Sequence, residues 1–444
     1  MKIVAVALAT AAALAGCGRF GFDATASMGG DDSGGGGDSS GGDDGSGSGS
    51  GSACVDPPAT KHVPADGDFY TVVMNLAPGD VVEVSNGPYT SPGGGIHQTW
   101  AGTAAAPIIV RAAPSQRPVL LAAAGNNVLD VDGSYFTLRG FDINGGDIGI
   151  RFGADQHATV EDLLIHNQLD QGITCNRTGE SCDSIAIRRV EIKDSGNTMT
   201  GNGISLGCSD QSCTASNTVV EGCYIHDLAG SGGAGVAVWY GNNNIVRDNV
   251  FARTAGPGVQ LQVSPATVPD VVERNLVLSP MDNGIQLEGM AIIRNNIIDG
   301  GTNDGISSRL ELGTNPVNLQ IVHNTIIGAA SACIRGANWS GTSQIVANNA
   351  MFMCSVGTVL SGTPVVAANI GIGSGDVGTP PNVYPTATST VIGAGDAAHS
   401  ASNDFNGTGR TAMPDVGAYQ RTTATNPGWI PVEGMKPLLT PTCP

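Results

Sequence analysis

The sequence predicts an all-β protein, a single-stranded right-handed parallel β-helix of about ten to twelve rungs with an irregular C-terminal tail. Two sequence elements that repeat together and a composition suited to strands lead to this prediction. Of the 444 residues, 65 are Gly and only 13% are charged. The many Gly, Asn, Val and Ile residues favour strands and turns over helices.

The first repeated element is a Gly-Ile or Gly-Val pair followed by a short apolar alternation. Its apolar position recurs every 21 to 32 residues, and this period indicates a solenoid whose loops vary in length. Leucine-rich repeats have a Leu consensus that is absent here, and propeller blades have a longer period. The copies are Gly149-Ile150, Gly172-Ile173, Gly203-Ile204, Gly235-Val236, Gly258-Val259, Gly284-Ile285 and Gly305-Ile306, continued less perfectly by Ile334 and Val359.

The second element lies between these copies and consists of two short strands joined at a polar bend. It reads Ile-Val-Arg-Asp-Asn-Val at 245–250 and Ile-Ile-Arg-Asn-Asn-Ile at 292–297. If each copy is one coil, equivalent residues stack about 4.8 Å apart, and stacked Asn amides hydrogen-bond along the column. The predicted bend column contains Phe141, Leu163, Val190, Cys223, Asn249, Asn275, Asn296, Thr325, Asn349 and Asn369. The apolar column two residues later contains Ile143, Ile165, Ile192, Ile225, Phe251, Val277 and Ile298.

These repeats resemble the right-handed parallel β-helix proteins of the pectate-lyase-like superfamily, over roughly residues 70–375. The stretch from Pro78-Gly79-Asp80 to Pro107-Ile108-Ile109 looks like the first rung of the alginate lyase and chondroitinase B relatives. The segment from Asp404 to Tyr419 resembles a closing segment of secreted bacterial β-helix proteins. Enzymes of the superfamily usually bind substrate along the Gly-Ile sheet. The fold also hosts adhesins and therefore does not decide function.

The N-terminus predicts export and a lipid anchor. Lys2 and the short apolar run after it are typical of a signal peptide at 1–16. Leu14-Ala15-Gly16-Cys17 resembles the bacterial lipobox, which implies cleavage before Cys17 and acylation of its thiol. The alternative is an ordinary signal peptide in which Cys17 occurs by chance. A Gly/Ser/Asp-rich disordered linker is predicted at 17–53, the β-helix at 54–375 and the C-terminal tail at 376–444.

Charge and cysteine content constrain the partners. The net charge of −19 disfavours nucleic acid, and no segment is long enough to span a bilayer, so the membrane is contacted through the lipid alone. The outer membrane or cell surface is the preferred site, because Gly18 is not the Asp that retains such lipoproteins at an inner membrane. No cofactor is required, calcium is compatible but indicated by no motif, and we expect a monomer without a structural metal.

An exported protein with this many cysteines is expected to hold disulfides. Cys175 and Cys182, and likewise Cys208 and Cys213, are close in sequence, although crossed pairing between neighbouring rungs stays open. Cys333 and Cys354 lie on neighbouring rungs. Cys223 falls in the bend column and is expected to be a buried, inert thiol. Cys54 and Cys443 remain; if they pair, the tail must run back along the outside of the helix.

Two groups of outward residues are candidates for a site. On the Gly-Ile sheet, an aromatic ring with amides and charges suits a sugar. The favoured alternative is that Glu288 and Arg309 form an ordinary surface ion pair across rungs. The group is Trp239, Gln260, Gln262, Gln286, Glu288 and Arg309. On the strands after the bend, His166, Lys193 and His226 occupy equivalent positions on successive rungs. Neighbouring cations would lower the pKa of Lys193 and suit it as a general base, whereas the alternative is that all three are edge side chains at loop starts.

The sequence thus leaves two functions open. The preferred one is a surface lipoprotein that binds polysaccharide or a surface partner through the sheet. The alternative is a polysaccharide lyase acting on uronate-containing glycans by β-elimination, with Lys193 as base and His166 and His226 holding the carboxylate. Binding is preferred because the chain lacks the Arg-His-Gly segment of the chondroitinase B relatives and the catalytic set of polygalacturonases.

Overall fold

The computed structural model describes residues 56–93, 97–197, 201–263, 268–309, 316–339 and 343–439. The predicted signal peptide, Cys17 and linker lie outside these residues, as do Cys54 and Cys443. Within them, short parallel strands wind into a helical stack with three faces, and no helix is long and apolar enough to cross a membrane. The predicted right-handed parallel β-helix is confirmed.

Sheet 1 is the Gly-Ile sheet of the prediction. All its strands pair in parallel with the next rung. Its strands are Asn75–Leu76, His97–Ala101, the first part of Leu129–Arg139, Ile148–Phe152, Gln171–Cys175, Ile204–Leu206, Val236–Asn242, Val259–Val263, Ile285–Leu287, Ile306–Ser308, Ala332–Gly336 and Val356–Leu360.

Sheet 2 holds the strands that precede the bend. The long strand Leu129–Arg139 runs through both sheets and joins them. The strands of sheet 2 are Lys61–Val63, Val81–Val84, Ile108–Ala112, the second part of Leu129–Arg139, Gln156–Glu161, Cys182–Asp183, Ala186–Arg188, Ala215–Ser216, Val219–Glu221, Ile245–Arg247, Asp270–Glu273, Ala291–Arg294, Gln320–Val322, Ile345–Ala347 and Val365–Ala367.

Sheet 3 follows the bend and contains twelve strands. The described residues also form one short α-helix, Phe69–Val72, whose Phe69 and Tyr70 are buried, and a 3-10 turn at Ala397–His399. The strands of sheet 3 are Tyr89–Thr90, Val119–Ala122, Asp142–Gly145, Leu164–His166, Glu191–Lys193, Tyr224–His226, Val250–Ala252, Leu276–Leu278, Ile297–Asp299, Thr325–Ile327, Ala350–Phe352 and Ile370–Gly371.

The Gly-Ile repeat has a steric cause. A Cβ on Gly149 would lie 2.6 Å from the carbonyl oxygen of Gly172, and a Cβ on Gly172 would lie 2.6 Å from that of Gly203. Each glycine therefore leaves room for the backbone of the next rung. The residue that follows each glycine points into the core, where Ile150 and Ile173 are fully buried. Burial of such branched side chains contributes roughly 1.5–3 kcal/mol each.

The predicted asparagine column is confirmed, with one correction. Each amide nitrogen donates to the side-chain oxygen of the next asparagine at 2.8–3.0 Å. The fourth member is Asn324 and not Thr325, because Thr325 is in register with Ile297 one position later. The order of the column is Asn249, Asn275, Asn296, Asn324, Asn349 and Asn369.

The C-terminal tail packs along the outer face of sheet 3. Phe405 and Tyr419 join one apolar cluster with Val250 and Leu276 of that sheet. Farther along, Lys436 is buried and its Nζ lies 2.9 Å from a carboxylate oxygen of Asp248 and 3.5 Å from the centre of the Phe405 ring. The tail therefore runs back along the solenoid; the Cys54–Cys443 pair itself lies outside the described residues and stays a prediction.

The disulfides follow the local pairing. Cys175 is bonded to Cys182, Cys208 to Cys213 and Cys333 to Cys354, so pairing between rungs is excluded for the first two. Cys223 is free and buried, as predicted, and burial raises the pKa of its thiol to about 12. The first two disulfides close loops that stand on the outer face of sheet 1, where they shape the candidate site.

Candidate functional site

The outer face of sheet 1 carries one continuous column of polar side chains. His97, Asp130 and Arg151 are in register on three neighbouring strands, and the column continues through Thr174 and Ser205. The strand spacing places successive members about 4.8 Å apart. The first two members were missed from the sequence because their strands lack the Gly-Ile signature.

A cavity of about 550 Å³ opens at the start of this column, and we call it the charged cleft. Its charged residues come from four segments of chain that are distant in sequence. They are His97, Asp130, Asp147, Arg151, Arg177 and Glu180. A site with several carboxylates and two guanidinium groups is suited to a polar ligand that itself carries charge.

Arg177 reaches back over the sheet from the loop that the Cys175–Cys182 disulfide closes. Its Nη1 lies 2.9 Å from Asp132 and 2.7 Å from Glu180, and its Nη2 lies 3.4 Å from Asp130. Burial disfavours the charge on Arg177, but these carboxylates outweigh it and raise its pKa. Arg177 is thus held by the protein and defines one wall of the cleft.

Glycine at position 153 makes this network possible. Gly153 follows the strand Ile148–Phe152 and lies beside Asp132 on the neighbouring strand. A Cβ at Gly153 would come 1.6 Å from Asp132 Oδ1 and 2.8 Å from Glu180 Oε2. Any side chain here would displace the carboxylates that hold Arg177.

His97 is oriented by Asp132. Its Nδ1 lies 3.0 Å from Asp132 Oδ2, and both side chains are partly exposed. We assign the proton to Nδ1, because a carboxylate accepts a hydrogen bond there. The Nε2 atom then carries a lone pair, as a general base requires.

Arg151 differs from Arg177 in its surroundings. Its Nε is buried and has no hydrogen-bond partner among the described residues, and no carboxylate lies within ion-pair distance of its guanidinium there. A buried donor without an acceptor costs about 1–3 kcal/mol, so the group is suited to an anionic ligand. A carboxylate that enters the cleft would find in Arg151 a cation that forms no ion pair with any carboxylate of the described residues.

A buried acid lies close to the network that holds Arg177. Asp155 is fully buried and accepts a hydrogen bond of 2.7 Å from the amide of Gly153. Burial raises the pKa of Asp155 to about 8, and the negative charge of Asp132 acts in the same direction. Asp155 is therefore neutral at pH 7 and does not add to the negative charge of the site.

A second cavity of about 350 Å³ lies farther along the same sheet, and we call it the tryptophan cleft. Trp239 forms one side, and its Nε1 donates to Ser205 Oγ at 2.9 Å. Asn176 and Thr178 of the Cys175–Cys182 loop line it, together with Ser209 of the loop closed by Cys208–Cys213. Trp239 is the one predicted sugar-contacting residue that lines either cleft.

The other predicted substrate-binding residues form a more buried part of the same face. Gln260, Gln262, Gln286 and Glu288 are buried, Glu288 being 1% exposed. Arg309 is partly exposed and its Nη2 donates to Gln286 Oε1 at 3.0 Å. Direct sugar binding by these five residues stays a prediction.

The predicted cation column on sheet 3 is stacked as expected, since His166, Lys193 and His226 are in register. Carboxylates lie among them, however. Lys193 Nζ is 3.8 Å and His226 Nε2 is 3.3 Å from Glu191 Oε1, and a hydrogen bond from His226 lowers the pKa of Glu191. His166 Nε2 is 2.8 Å from Asp142 Oδ1. The column is therefore not the run of cations that the sequence suggested, and its catalytic role stays a prediction.

Metal binding has no obvious place in the described part of the chain. There, no group of three or more His, Cys, Asp or Glu side chains is arranged to hold an ion. At the charged cleft, Arg177 occupies the position between the carboxylates of Asp132 and Glu180.

Comparison with known proteins places the chain in a fold class. Residues 131–350 match the family model described as right handed beta helix region. The crystal structure of the pectate lyase Pel9A is similar, with a TM-score of 0.53 and 16% identity, covering 80% of this chain and 91% of that one. An alginate lyase from Paenibacillus sp. str. FPU-7 gives a TM-score of 0.47 and 16% identity over 70% of this chain and 98% of that one.

A PL6 family polysaccharide lyase from Pseudopedobacter saltans gives a TM-score of 0.48 and 14% identity, over 71% of this chain and 93% of that one. Comparison with curated protein sequences gives no match. At 16% identity, the likeness to the pectate lyase structure shows the fold alone, a right-handed parallel β-helix, and the function has to be argued from the site.

Proposed function

We propose that this protein is a polysaccharide lyase that cleaves a uronate-containing glycan in the charged cleft. The observation that carries the proposal is the pairing of two groups on one face of sheet 1. Arg151 offers a guanidinium whose Nε has no acceptor among the described residues, and His97 offers an imidazole that Asp132 orients. These are the two groups that β-elimination from a uronate needs.

The chemistry follows from the roles of these groups. Arg151 pairs with the uronate carboxylate and stabilises the negative charge that spreads onto it when C5 loses its proton. His97 Nε2 takes that proton. The electron pair of the C5–H bond forms the C4–C5 double bond, the bond from C4 to the glycosidic oxygen breaks, and the leaving oxygen takes a proton from the solvent. Asp132 stabilises the imidazolium formed, as a carboxylate partner does for a catalytic histidine.

The test is product formation on a panel of uronate polysaccharides, measured by the absorbance of the unsaturated product. We expect His97→Ala to lower kcat by roughly 10²–10⁴-fold, the usual contribution of a general base. We expect Arg151→Ala to lower kcat/KM by about 10²-fold or more, as loss of one charge-stabilising donor does. His62→Ala is the matched control, because His62 is exposed and lies outside both clefts. Activity that survives in both cleft variants would refute the proposal.

Binding without cleavage is the second candidate function, and Trp239 favours it. An indole ring fixed by a hydrogen bond beside amide and hydroxyl side chains is a typical sugar platform. Retention of the wild type on immobilised acidic polysaccharide, with no product released over prolonged incubation, would favour this candidate over the lyase.

We further propose that the protein works outside the cytoplasm, anchored through Cys17 to the outer membrane or cell surface. Three disulfides in the described residues support an oxidising compartment. A tether of predicted flexible linker would leave the charged cleft free to reach polymers at the surface.

A further inference from the structure

The two clefts on sheet 1 differ sharply in charge. The charged cleft contains Arg151 and Arg177, whereas no Lys, Arg or His is found among the described residues that line the tryptophan cleft. The one charged side chain there is the carboxylate of Asp210. A uronate in the tryptophan cleft would meet no cation and one like charge, and a carboxylate without a partner is costly to desolvate.

The two clefts lie on either side of the Cys175–Cys182 loop, over the same sheet. Successive residues of the Cys175–Cys182 loop face opposite ways, because Arg177 and Glu180 line the charged cleft while Asn176 and Thr178 line the tryptophan cleft. Arg151 and the strand of Trp239 are three strands apart in the sheet. At about 4.8 Å per strand this separation is roughly 14 Å, so one extended glycan is able to occupy both clefts.

A second tryptophan, in the loop that follows the sheet 1 strand Ala332–Gly336, shows what a structural role looks like. Trp339 donates its Nε1 to Ser308 Oγ at 2.9 Å, the same arrangement as Trp239 with Ser205. Trp339 is only 5% exposed and is covered by protein, whereas Trp239 is half-buried and borders a cavity. The protein has fixed the Trp239 ring without covering it, which is the arrangement that stacking against a sugar ring needs.

We propose that the tryptophan cleft binds an uncharged sugar ring of the same chain whose uronate lies in the charged cleft. The substrate is then a heteropolysaccharide in which acidic and neutral sugars are neighbours, rather than a homopolymer of uronates. This inference rests on the proposed function for its acidic half. The neutral half depends only on the lining of the tryptophan cleft.

The experiment compares polymers that differ in the neutral sugar. One set is an alternating copolymer of glucuronate and an N-acetylhexosamine, and the other is homopolymers of galacturonate and of mannuronate. We expect kcat/KM on the copolymer to exceed that on either homopolymer by at least about tenfold. Trp239→Ala should raise KM on the copolymer by about three- to tenfold with little change in kcat, and Trp239→Phe should restore most of the loss because it keeps a flat ring.

Binding to the His97→Ala variant separates this inference from the proposed lyase activity. Calorimetric titration of that variant and of its Trp239→Ala derivative uses oligosaccharides cut from the same polymers. Copolymer binding that depends on Trp239, in the absence of cleavage by the wild type, would refute the lyase and support the neutral-sugar site. Equal or better cleavage of the homopolymers would support the lyase and overturn the inference. Copolymer binding that is insensitive to Trp239→Ala would overturn the inference in either case.

Discussion

Replacing Asn296 with alanine tests how far the asparagine column stabilises the β-helix. Asn296 is fully buried and makes four side-chain hydrogen bonds. Its Nδ2 donates to the carbonyl oxygen of Val272 at 2.9 Å and to Asn324 Oδ1 at 3.0 Å. Its Oδ1 accepts from both the backbone nitrogen and the Nδ2 of Asn275 at 3.0 Å. Alanine removes all four bonds and leaves the neighbours in place.

The expected cost follows from the groups that lose a partner. Two donors of Asn275 and the carbonyl of Val272 are affected, whereas Asn324 Oδ1 still accepts from the backbone nitrogen of residue 296. At about 1 kcal/mol for each buried group left without its partner, the lower end of the usual range, Asn296→Ala should lower the free energy of unfolding by about 3 kcal/mol. Water could replace a lost hydrogen bond only at a position that solvent reaches.

The matched control lies at the end of the column. Asn369 also accepts from the backbone nitrogen and the Nδ2 of an asparagine, Asn349, but it is only partly buried. Asn369→Ala should cost about 1 kcal/mol, because solvent reaches the freed groups. Urea unfolding followed by circular dichroism and by tryptophan fluorescence gives both values if the two probes agree. Equal losses in the two variants, or a loss below about 1 kcal/mol for Asn296→Ala, would refute the reasoning.

Three further predictions concern pH, the alternative catalytic site and anchoring. The pKa of Asp155 rises from 3.8 to about 8 in the folded protein. Its contribution to the free energy of unfolding is therefore present below pH 4 and is lost as the pH rises to about 8. Asp155→Asn should flatten this part of the stability–pH curve, and an unchanged curve would contradict the prediction. Lys193→Ala should leave product formation and the melting temperature nearly unchanged if the charged cleft is the active site. Loss of product at an unchanged melting temperature would indicate that the active site lies on sheet 3. Cys17→Ser should release the protein from the membrane fraction, and unchanged fractionation without an acyl group by mass spectrometry would exclude the anchor.

The sequence by itself determined the architecture of the solenoid. A strand residue points either inward or outward, and stacking repeats that choice from rung to rung. Gly149-Ile150 and its copies therefore identified the buried column and the outward column of sheet 1 together. The two short-range disulfides were also predictable as one of the open pairings, because Cys175 and Cys182 share a loop. These features depend on local sequence and on one repeating geometry.

The register between rungs was harder to predict from the sequence, because loop length varies and no single residue type occupies the bend in every rung. The sequence placed Thr325 in the asparagine column, but hydrogen bonding along the stack selects Asn324. One amide at that position satisfies both neighbours, and a hydroxyl one residue later would not. A shift of one residue also turns a side chain to the other face, so such errors matter for any site built on the sheet.

Only the tertiary structure decided where the charged cleft lies. His97 and Asp130 come from strands without the repeat signature, and Asp132 becomes the partner of His97 only because their two strands are adjacent. Arg177 belongs to a loop whose path over Gly153 no sequence pattern specifies. Long-range contacts of this kind depend on how loops of unequal length fold over a regular stack of strands. The sequence therefore predicted the stack but not the charged cleft.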